Sequence, residues 1–298
     1  MPLPTTRAWR LTPAKRALIA LARPVFLLLS RPSMRWFGDA IYDFALRCNG
    51  IAINFPGAHG LTIGEERFIS AHLSGKRPGV LFDIGANHGA YALYLNQVSP
   101  ASVIHAFEPH PATFAILRDR LQSFPNIHLV QQAVSDAPGL LKLYDFADSD
   151  GSTQASLDEN AVRLFSENTV AHDVDVTTID AYMAEHGIDR IDLLKIDTEG
   201  FDLAVLRGAT AALAASRIGA IHFEFIPANI ARHITMRDFF EVLHGYRLFR
   251  QCMNGGLTPL DPYDVKRCEI YITQNLVALP RQLGCNPQIK ATPDITAA

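Results

Sequence analysis

The sequence predicts an α/β fold in which helices cover both faces of a doubly wound, mostly parallel sheet. From residue 79 onward, short apolar runs alternate with amphipathic stretches, a pattern typical of βαβ units. Hydrophobic residues make up 48% of the 298 residues and charged residues 19%, so the chain can bury a large core. This length allows one large domain or two small ones.

The first three strands follow from apolar runs that are interrupted by helical periodicity. Val80–Ile84 is predicted to be a strand, and Gly89–Gln97 is predicted to be the helix after it. Val103–Phe107 is the second predicted strand, followed by another helix, and Ile127–Val134 is the third. This alternation of strands and helices is what parallel pairing requires.

The second half of the chain continues the alternation and ends differently. A helix is predicted from Phe201 to about residue 215, and Asn254-Gly255-Gly256 marks a hairpin-like connection between the last two strands. Further strands are predicted at Leu140–Phe146, Val174–Thr177, Ile191–Ile196, Ile218–Phe225, Tyr246–Arg250 and Glu269–Ala278. The resulting organisation is a helical extension over residues 1–53, one domain over 54–280 and a loose tail over 281–298.

The charge is distributed unevenly. Residues 1–38 contain seven of the 27 Lys and Arg residues and no acid, so the rest of the chain carries about −10 within a net charge of −3. The apolar run 17–30 is interrupted by Arg23-Pro24 and is shorter than the ~20 residues of a membrane span. Two interpretations stay open: a helical extension packed on the domain, or peripheral membrane contact through residues 7–35.

Partner classes and compartment follow from the same composition. The negative net charge gives no reason to expect a nucleic-acid partner. The four cysteines form no CxxC pair and are too few for a disulfide scaffold, which favours a cytoplasmic protein. The membrane interpretation of the basic segment would make it a peripheral cytoplasmic protein.

The loop between the first strand and the first helix is a candidate ligand site. In open α/β sheets, ligands bind at the carboxyl ends of the strands, where this loop lies. Its sequence, Asp83-Ile-Gly-Ala-Asn-His-Gly89, lacks the GxGxxG pattern of dinucleotide-binding folds. A carboxylate at Asp83 suits a cationic group, such as an ammonium or a sulfonium, better than a pyrophosphate.

Glu108 is a second candidate, at the end of the second strand and 23 residues after Gly85. A carboxylate there can accept hydrogen bonds from both hydroxyls of a ribose. The alternative is a solvated strand end, or a cap for the following helix.

Four runs of residues together resemble the FkbM-type methyltransferases: Leu81–Gly89, His105–Pro109, Ala133–Asp136 and Leu193–Gly200, the last of which contains Lys-Ile-Asp-Thr-Glu-Gly. The similarity covers about residues 54–280. It implies a class I (Rossmann-like) fold with a mostly parallel, seven-stranded sheet, and S-adenosylmethionine as the methyl donor. It also implies O-methylation of a hydroxyl on a sugar, a glycolipid or a secondary metabolite.

The resemblance also assigns cofactor-binding residues by position. Glu108 would hold the ribose, and Asp197 would lie where the methyl group meets the acceptor. Ser135 and Asp136 would lie near the adenine, unless they only form a turn before Pro138-Gly139. The first loop would hold the methionine part of the cofactor, through Asp83, Gly85, Ala86, Asn87 and Gly89.

A hydroxyl loses its proton as it attacks a methyl group, so a general base is expected nearby. Asp197 and Glu199 follow a buried strand and are the first candidates, although both could simply cap the next helix. His222 and Glu224 are the second pair, because period-two alternation places them on one strand face. A weaker alternative gathers Asp197, Glu199 and Glu224 around one Mg²⁺ ion.

Two other functions stay open at this point. A nicotinamide-dependent oxidoreductase would use the same fold class, and the absent GxGxxG pattern and Asp83 oppose it. A non-catalytic, membrane-associated cofactor-binding protein would explain the basic leader. For an enzyme, the expected acceptor is a small-molecule, glycan or glycolipid hydroxyl, bound by the stretch Gly151–Asp173 and by the loops after Phe225 and Arg250.

Overall fold

The computed structural model describes residues 12–146, 155–157, 159–163 and 168–281. The helices are α1 (Pro13–Leu29), α2 (Arg35–Cys48), α3 (Ile63–Leu73), α4 (Ala90–Val98), α5 (Pro111–Leu121), α6 (Glu159–Arg163), α7 (Ile179–Glu185), α8 (Asp202–Arg207), α9 (Thr210–Ala214), α10 (Ala228–Ala231), α11 (Met236–Val242) and α12 (Val265–Cys268). A 3₁₀ turn, Pro32–Met34, joins α1 to α2.

The strands form two sheets. They are β1 (Val80–Ile84), β2 (Val103–Phe107), β3 (Ile127–Val130), β4 (Ala133–Val134), β5 (Gly139–Phe146), β6 (Thr169–Thr177), β7 (Leu193–Ile196), β8 (Ile221–Phe225), β9 (Tyr246–Gln251), β10 (Leu257–Pro259) and β11 (Gln274–Pro280). Eight of them form the large sheet, in the order β10-β9-β11-β8-β7-β1-β2-β3, and the small sheet has the order β4-β6-β5.

The large sheet confirms the α/β fold. It differs from the predicted sheet in the number of strands and in how many of them pair in parallel. Five adjacent strands, from β8 to β3, are mutually parallel. β11 then pairs antiparallel with both β8 and β9, and β10 pairs antiparallel with β9. The sheet is therefore mixed and eight-stranded, not seven-stranded. The unpredicted strand, β10, has three residues and ends at Pro259, which is tolerated because β10 is an edge strand.

Several predicted element boundaries were also wrong. The predicted strand Val174–Thr177 starts five residues earlier, as β6. The apolar run Ile127–Val134 is two strands in different sheets, because the chain leaves the large sheet after Val130. The predicted helix from Phe201 is divided into α8 and α9. The predicted strand Glu269–Ala278 starts only at Gln274, because α12 and a short irregular segment precede it.

Both faces of the large sheet are buried under helices, as a doubly wound fold requires. In β1, Phe82 and Ile84 pack in a core with residues of α7, α8, α9 and α11. Leu81 points to the opposite face, where residues of α3, α4 and α5 complete a second core. Asp83 shares the face of Leu81, because side chains alternate along a strand. A carboxylate is thus placed inside the second core.

The N-terminal helices α1 and α2 contact each other and leave most of their surface exposed. Within the described part of the chain, no single helix has both the length and the apolar character to cross a membrane. Arg16–Leu29 and Pro32–Cys48 satisfy those criteria only as a pair, and the two helices are bent by 94° at their junction.

Candidate active site

A cavity of about 210 Å³ lies at the carboxyl ends of β1, β2 and β7. This is the position expected for a ligand in an open α/β sheet. The small sheet closes it from the other side through β4 and β5. The lining residues are Ile84, Gly85, Asn87, Phe107, Glu108, Pro109, Gln132, Ala133, Val134, Leu143, Ala155, Ser156, Leu157, Asp197, Thr198 and Glu199.

The first loop is held tightly between β2 and β7. The backbone N–H groups of Gly85 and Ala86 both donate to the carbonyl of Phe107, at 3.0 and 2.8 Å. Gly85 has φ +79°, and a Cβ atom there would lie 1.8 Å from the backbone oxygen of Asp197. Only glycine satisfies both conditions, so this position lets the loop lie against the turn after β7.

Glu108 lines the cavity, and the first loop orients its carboxylate. Oε2 accepts a hydrogen bond from the backbone N–H of Asn87, and Oε1 accepts one from that of His110, both at 2.9 Å. Burial raises the pKa of Glu108 to about 7, against the effect of these two hydrogen bonds. Each oxygen can still accept a further bond, so the group fits the ribose hydroxyls of S-adenosylmethionine.

Asp83 precedes Ile84, a cavity residue, in β1; it is 1% exposed and does not itself line the cavity. Among the described residues, its Oδ2 atom has no hydrogen-bond partner. Burial raises the pKa of Asp83 to about 7, although the nearby ammonium group of Lys195 acts in the opposite direction. A buried carboxylate oxygen without a partner fits the cationic end of the cofactor, and this is the observation that favours its binding here.

Of the predicted loop residues, Gly85 and Asn87 line the cavity, whereas Ala86 and Gly89, like Asp83, do not. Ala86 is buried in the core under α4. Gly89 has φ +78°, and a Cβ atom there would lie 2.7 Å or less from side-chain atoms of Leu117 and Leu121. This geometry explains both small residues by packing, and their contact with a cofactor stays a prediction.

The predicted adenine contacts lie next to the cavity rather than on its surface. Ser135 is buried and its backbone N–H donates to the carbonyl of Thr177, whereas Asp136 is exposed. The cavity is lined instead by the three residues before them, Gln132, Ala133 and Val134. Adenine contact by Ser135 and Asp136 remains a prediction.

The turn after β7 brings Asp197, Thr198 and Glu199 into the cavity wall. Glu199 has φ +49°, and its backbone oxygen accepts a hydrogen bond from Oγ of Ser156 at 3.1 Å. Burial, together with the charges of Asp197 and Asp202, raises the pKa of Glu199 to about 8. A carboxyl group with this pKa can exchange a proton near neutral pH.

The helix-capping alternative for Asp197 and Glu199 is wrong. The N-cap residue of α8 is Phe201, and no side chain caps this helix end through a hydrogen bond. Thr198 instead donates from Oγ1 to Oδ2 of Asp202 at 2.9 Å, inside the first turn. Asp197 and Glu199 instead line the cavity.

Lys195 is 2% exposed and supplies the positive charge beneath this turn. Its Nζ atom lies 3.4 Å from Oδ2 of Asp197 and 3.7 Å from Oε1 of Glu65. Burial acts to lower the pKa of Lys195, but the carboxylates of Asp197, Glu65 and Glu224 outweigh it, so the pKa is raised well above its usual value. Lys195 is a buried ammonium ion that holds Asp197.

His222 and Glu224 share one strand face, as the alternation predicts, but neither lines the cavity. His222 is fully buried, with Nδ1 2.9 Å from the hydroxyl of Tyr91 and Nε2 2.9 Å from Oε1 of Gln251. Burial lowers the pKa of His222 well below its usual value, and burial raises that of Glu224. A direct catalytic role for this pair stays a prediction.

Several cavity residues carried no sequence signal. Ala155, Ser156 and Leu157 belong to the polar stretch 151–173, which has no period, and only its general role near the acceptor was predicted. Ser152, Thr153 and Gln154 lie outside the described residues. No group of three or more His, Cys, Asp or Glu side chains is arranged to hold a metal ion in the described ranges, so the Mg²⁺ alternative has no ligand set there.

Known relatives match the part of the chain that carries this site. 31-O-demethyl-FK506 methyltransferase FkbM of Streptomyces tacrolimicus is 34% identical over 156 residues, which are 44% of this chain and 60% of that protein. Methyltransferase sdnD of Sordaria araneosa is 31% identical over 153 residues, 43% of this chain and 59% of that protein. The chain thus spans less than two thirds of either relative.

A third relative matches over a longer stretch. 2-O-methyltransferase NoeI of Sinorhizobium fredii (strain NBRC 101917 / NGR234) is 26% identical over 188 residues, 59% of this chain and 75% of that protein. The model of the methyltransferase FkbM domain matches residues 83–248, more than half of the chain, from Asp83 at the end of β1 to Leu248 in β9. This match, over the stretch that holds most of the cavity lining, shows that the chain belongs to the FkbM-type family of S-adenosylmethionine-dependent methyltransferases.

Proposed function

We propose that this protein is an O-methyltransferase that transfers a methyl group to a hydroxyl of a small molecule, a glycan or a glycolipid. The observation that carries the proposal is one cavity lined both by Glu108, which we assign to the cofactor ribose, and by Asp197 and Glu199 of the turn after β7. When bound, S-adenosylmethionine supplies an electrophilic methyl group on a sulfonium ion. This chain must then supply orientation and a proton acceptor.

Glu199 is the best candidate for the proton acceptor. An aliphatic hydroxyl is a weak nucleophile. A base that takes its proton as the new O–C bond forms raises the rate by a factor of about 10²–10⁴. A carboxyl group whose pKa is about 8 is protonated below that pH and accepts a proton above it. We therefore expect the transfer rate of the natural protein to rise between pH 7 and pH 9.

The relatives support oxygen as the accepting atom. Two of them have names that specify transfer to oxygen, the 31-O position of FK506 and a 2-O position. Family membership also favours a methyltransferase over the two alternatives that the sequence left open, a nicotinamide oxidoreductase and a non-catalytic binding protein.

Cofactor binding is tested by isothermal titration with S-adenosylhomocysteine and, separately, with NAD. We expect the natural protein to bind the first ligand only. Glu108→Gln and Asp83→Asn should each weaken this binding by tenfold or more, since each removes a carboxyl group that the proposal assigns to the cofactor. Glu241→Gln, on the exposed side of α11, is the matched control. A folded natural protein that binds NAD, or that fails to bind S-adenosylhomocysteine, would contradict the proposal.

Transfer itself is tested with S-adenosylmethionine carrying a labelled methyl group and a panel of hydroxylated small molecules, oligosaccharides and glycolipids. With an acceptor from the panel that is methylated, Glu199→Gln should slow transfer by a factor of about 10²–10⁴ and leave the affinity for S-adenosylhomocysteine unchanged. Label found on nitrogen or carbon of the product would overturn the assignment to oxygen.

A further inference from the structure

The helices α1 and α2, with the turn between them, form a hairpin that we call the N-terminal hairpin (residues 13–48). It is covered with large apolar side chains that face solvent: Leu18, Ile19, Leu21, Val25, Phe26, Leu27, Leu28, Trp36, Ile41, Tyr42 and Phe44. Leu21 is 78% exposed, Phe44 70% and Trp36 68%. A contiguous apolar surface of this kind marks an interaction site in a folded protein.

The domain does not cover this surface. No described side chain of α1 is buried, and in α2 only Leu46 is buried. Residues two positions apart lie on opposite sides of a helix, so Phe44 points away from the side that Leu46 anchors. Trp36 and Ala40 lie on the same side as Phe44, at intervals of four residues. The apolar face of α2 is therefore turned outward.

The first helix, α1, also exposes an apolar face. Leu18, Leu21, Val25 and Leu28 follow the spacing of one helix face and are all exposed. Arg16 and Arg23 lie seven residues apart, hence on one side, and that side is opposite Val25. The result is a helix with one apolar face, opposite a side that two arginines share with the exposed Leu27.

The charge of the hairpin selects the partner. The N-terminal hairpin contains Lys15, Arg16, Arg23, Arg31, Arg35 and Arg47 against Asp39 and Asp43, so it is net basic, although the rest of the chain is acidic. The five arginines are all exposed, and Arg35 lies 3.7 Å from Asp39. Pairing with a second hairpin would bring two net positive segments together, and they would repel each other. An anionic surface offers the opposite charge, and phospholipid head groups provide it beside a hydrocarbon layer that accepts the leucines.

The dimensions favour binding in the plane of the interface. α1 has 17 residues, so at 1.5 Å per residue it is about 25 Å long, shorter than the ~30 Å hydrocarbon layer. Trp36 and Tyr42 are residue types enriched at the boundary between head groups and hydrocarbon. We propose that the N-terminal hairpin docks the protein onto an anionic lipid bilayer, with its apolar faces at this boundary and its arginines on the lipid phosphates.

The docking is tested with the full chain and vesicles made either of phosphatidylcholine alone or of equal parts of phosphatidylcholine and phosphatidylglycerol. We expect sedimentation with the anionic vesicles only. Arg16→Gln, Arg23→Gln and Arg31→Gln together should weaken binding about 100-fold. Leu21→Gln, Val25→Gln and Leu28→Gln together should weaken it at least about tenfold. Arg237→Gln and Leu140→Gln, exposed positions elsewhere, are the matched controls.

A second readout reports on the hairpin directly. The chain has two tryptophans, so Trp9→Phe leaves Trp36 as the only emitter. Its fluorescence should shift to shorter wavelength with anionic vesicles and be quenched by brominated lipid. Failure of the natural chain to bind these vesicles would overturn the proposal, and so would a stable dimer whose formation requires the same leucines. Titration with S-adenosylhomocysteine on every variant keeps this result separate from the proposed function.

Discussion

Two residues, the half-buried Gly85 and the buried Lys195, hold the turn that carries Asp197. Gly85 presses its backbone against the carbonyl of Asp197, and Lys195 places an ammonium group 3.4 Å from its carboxylate. Neither residue has to contact the substrate to affect the reaction. Lys195 is a positioning residue because it acts through Asp197.

Replacement of Gly85 tests the close approach of the loop. Gly85→Ala should abolish binding of S-adenosylhomocysteine and lower the melting temperature, because the new Cβ atom meets the Asp197 carbonyl in addition to the cost of a positive φ. Gly75→Ala is the matched control, with φ +73° and no atom within 4 Å of the added Cβ. Gly75→Ala should lower the free energy of unfolding only by the ~1–2 kcal/mol that a side chain costs in the left-handed conformation, and it should retain binding of S-adenosylhomocysteine. Equal behaviour of the two variants would contradict this account.

Replacement of Lys195 tests the electrostatic role. Lys195→Met removes the charge that stabilises the ionised forms of Glu199 and Glu224, so their pKa values should rise further. The acid limb of the pH profile for methyl transfer should then move to higher pH. Lys195→Arg retains the charge and should restore much of the natural profile. A slower enzyme whose pH profile is unchanged would indicate a role in packing only.

At the scale of elements, the small sheet forms a wall of the cavity and is tied to the turn after β7 by Ser156. Ser156→Ala removes the hydrogen bond to the Glu199 carbonyl, worth ~1 kcal/mol. We expect about fivefold weaker binding of S-adenosylhomocysteine by calorimetry. Ser99→Ala removes a comparable side-chain bond, to Ser102, at the other end of the sheet and should leave affinity unchanged. Equal losses in both variants would rule out a specific contribution of this contact.

The elements also show what sequence reasoning can and cannot reach. The strands that end in Asp83, Glu108 and Asp197 were predictable because apolar runs and their polar ends are local signals. The course of Ile127–Val134 was not, since sheet membership depends on partners distant in sequence. For the same reason, no local sequence signal predicted β10. None predicted that Ser156 would form part of the cavity wall. His222 is buried and does not face a cleft, because helices α3 and α4 pack over its strand. That packing is a long-range contact, which the sequence pattern around His222 does not reveal.

At the scale of the whole molecule, the buried carboxyl groups give the fold an unusual dependence on pH. Burial raises the pKa to about 7 for Asp83 and Glu108 and to about 8 for Glu199. The folded state thus retains protons that the unfolded chain has released above about pH 5. The stability that these groups contribute is fully present below about pH 4. It decreases as the pH rises and is lost once the pH passes the folded-state pKa values of about 7 and 8. Buried His72 and His105, with pKa lowered to about 4, oppose the trend only below pH 6.5.

The ligand-free protein should therefore melt at a lower temperature at pH 8.5 than at pH 6.5. We expect a difference of order 1 kcal/mol in the free energy of unfolding, or about 2–4 °C, by calorimetry. Asp83→Asn combined with Glu108→Gln should reduce the difference. A melting temperature that rises with pH across this window would contradict the assignment of raised pKa values.

The placement of the cavity between two sheets has a kinetic consequence. The large sheet rests on two extensive cores, whereas among the described residues the small sheet buries a cluster of only Ala133, Leu143, Val174 and Val176. The small sheet should therefore open locally at a lower free-energy cost than the large sheet. A ligand in the cavity would contact residues of both sheets and raise that cost. We therefore expect ligand exchange to require opening of the small sheet, with the large sheet left intact.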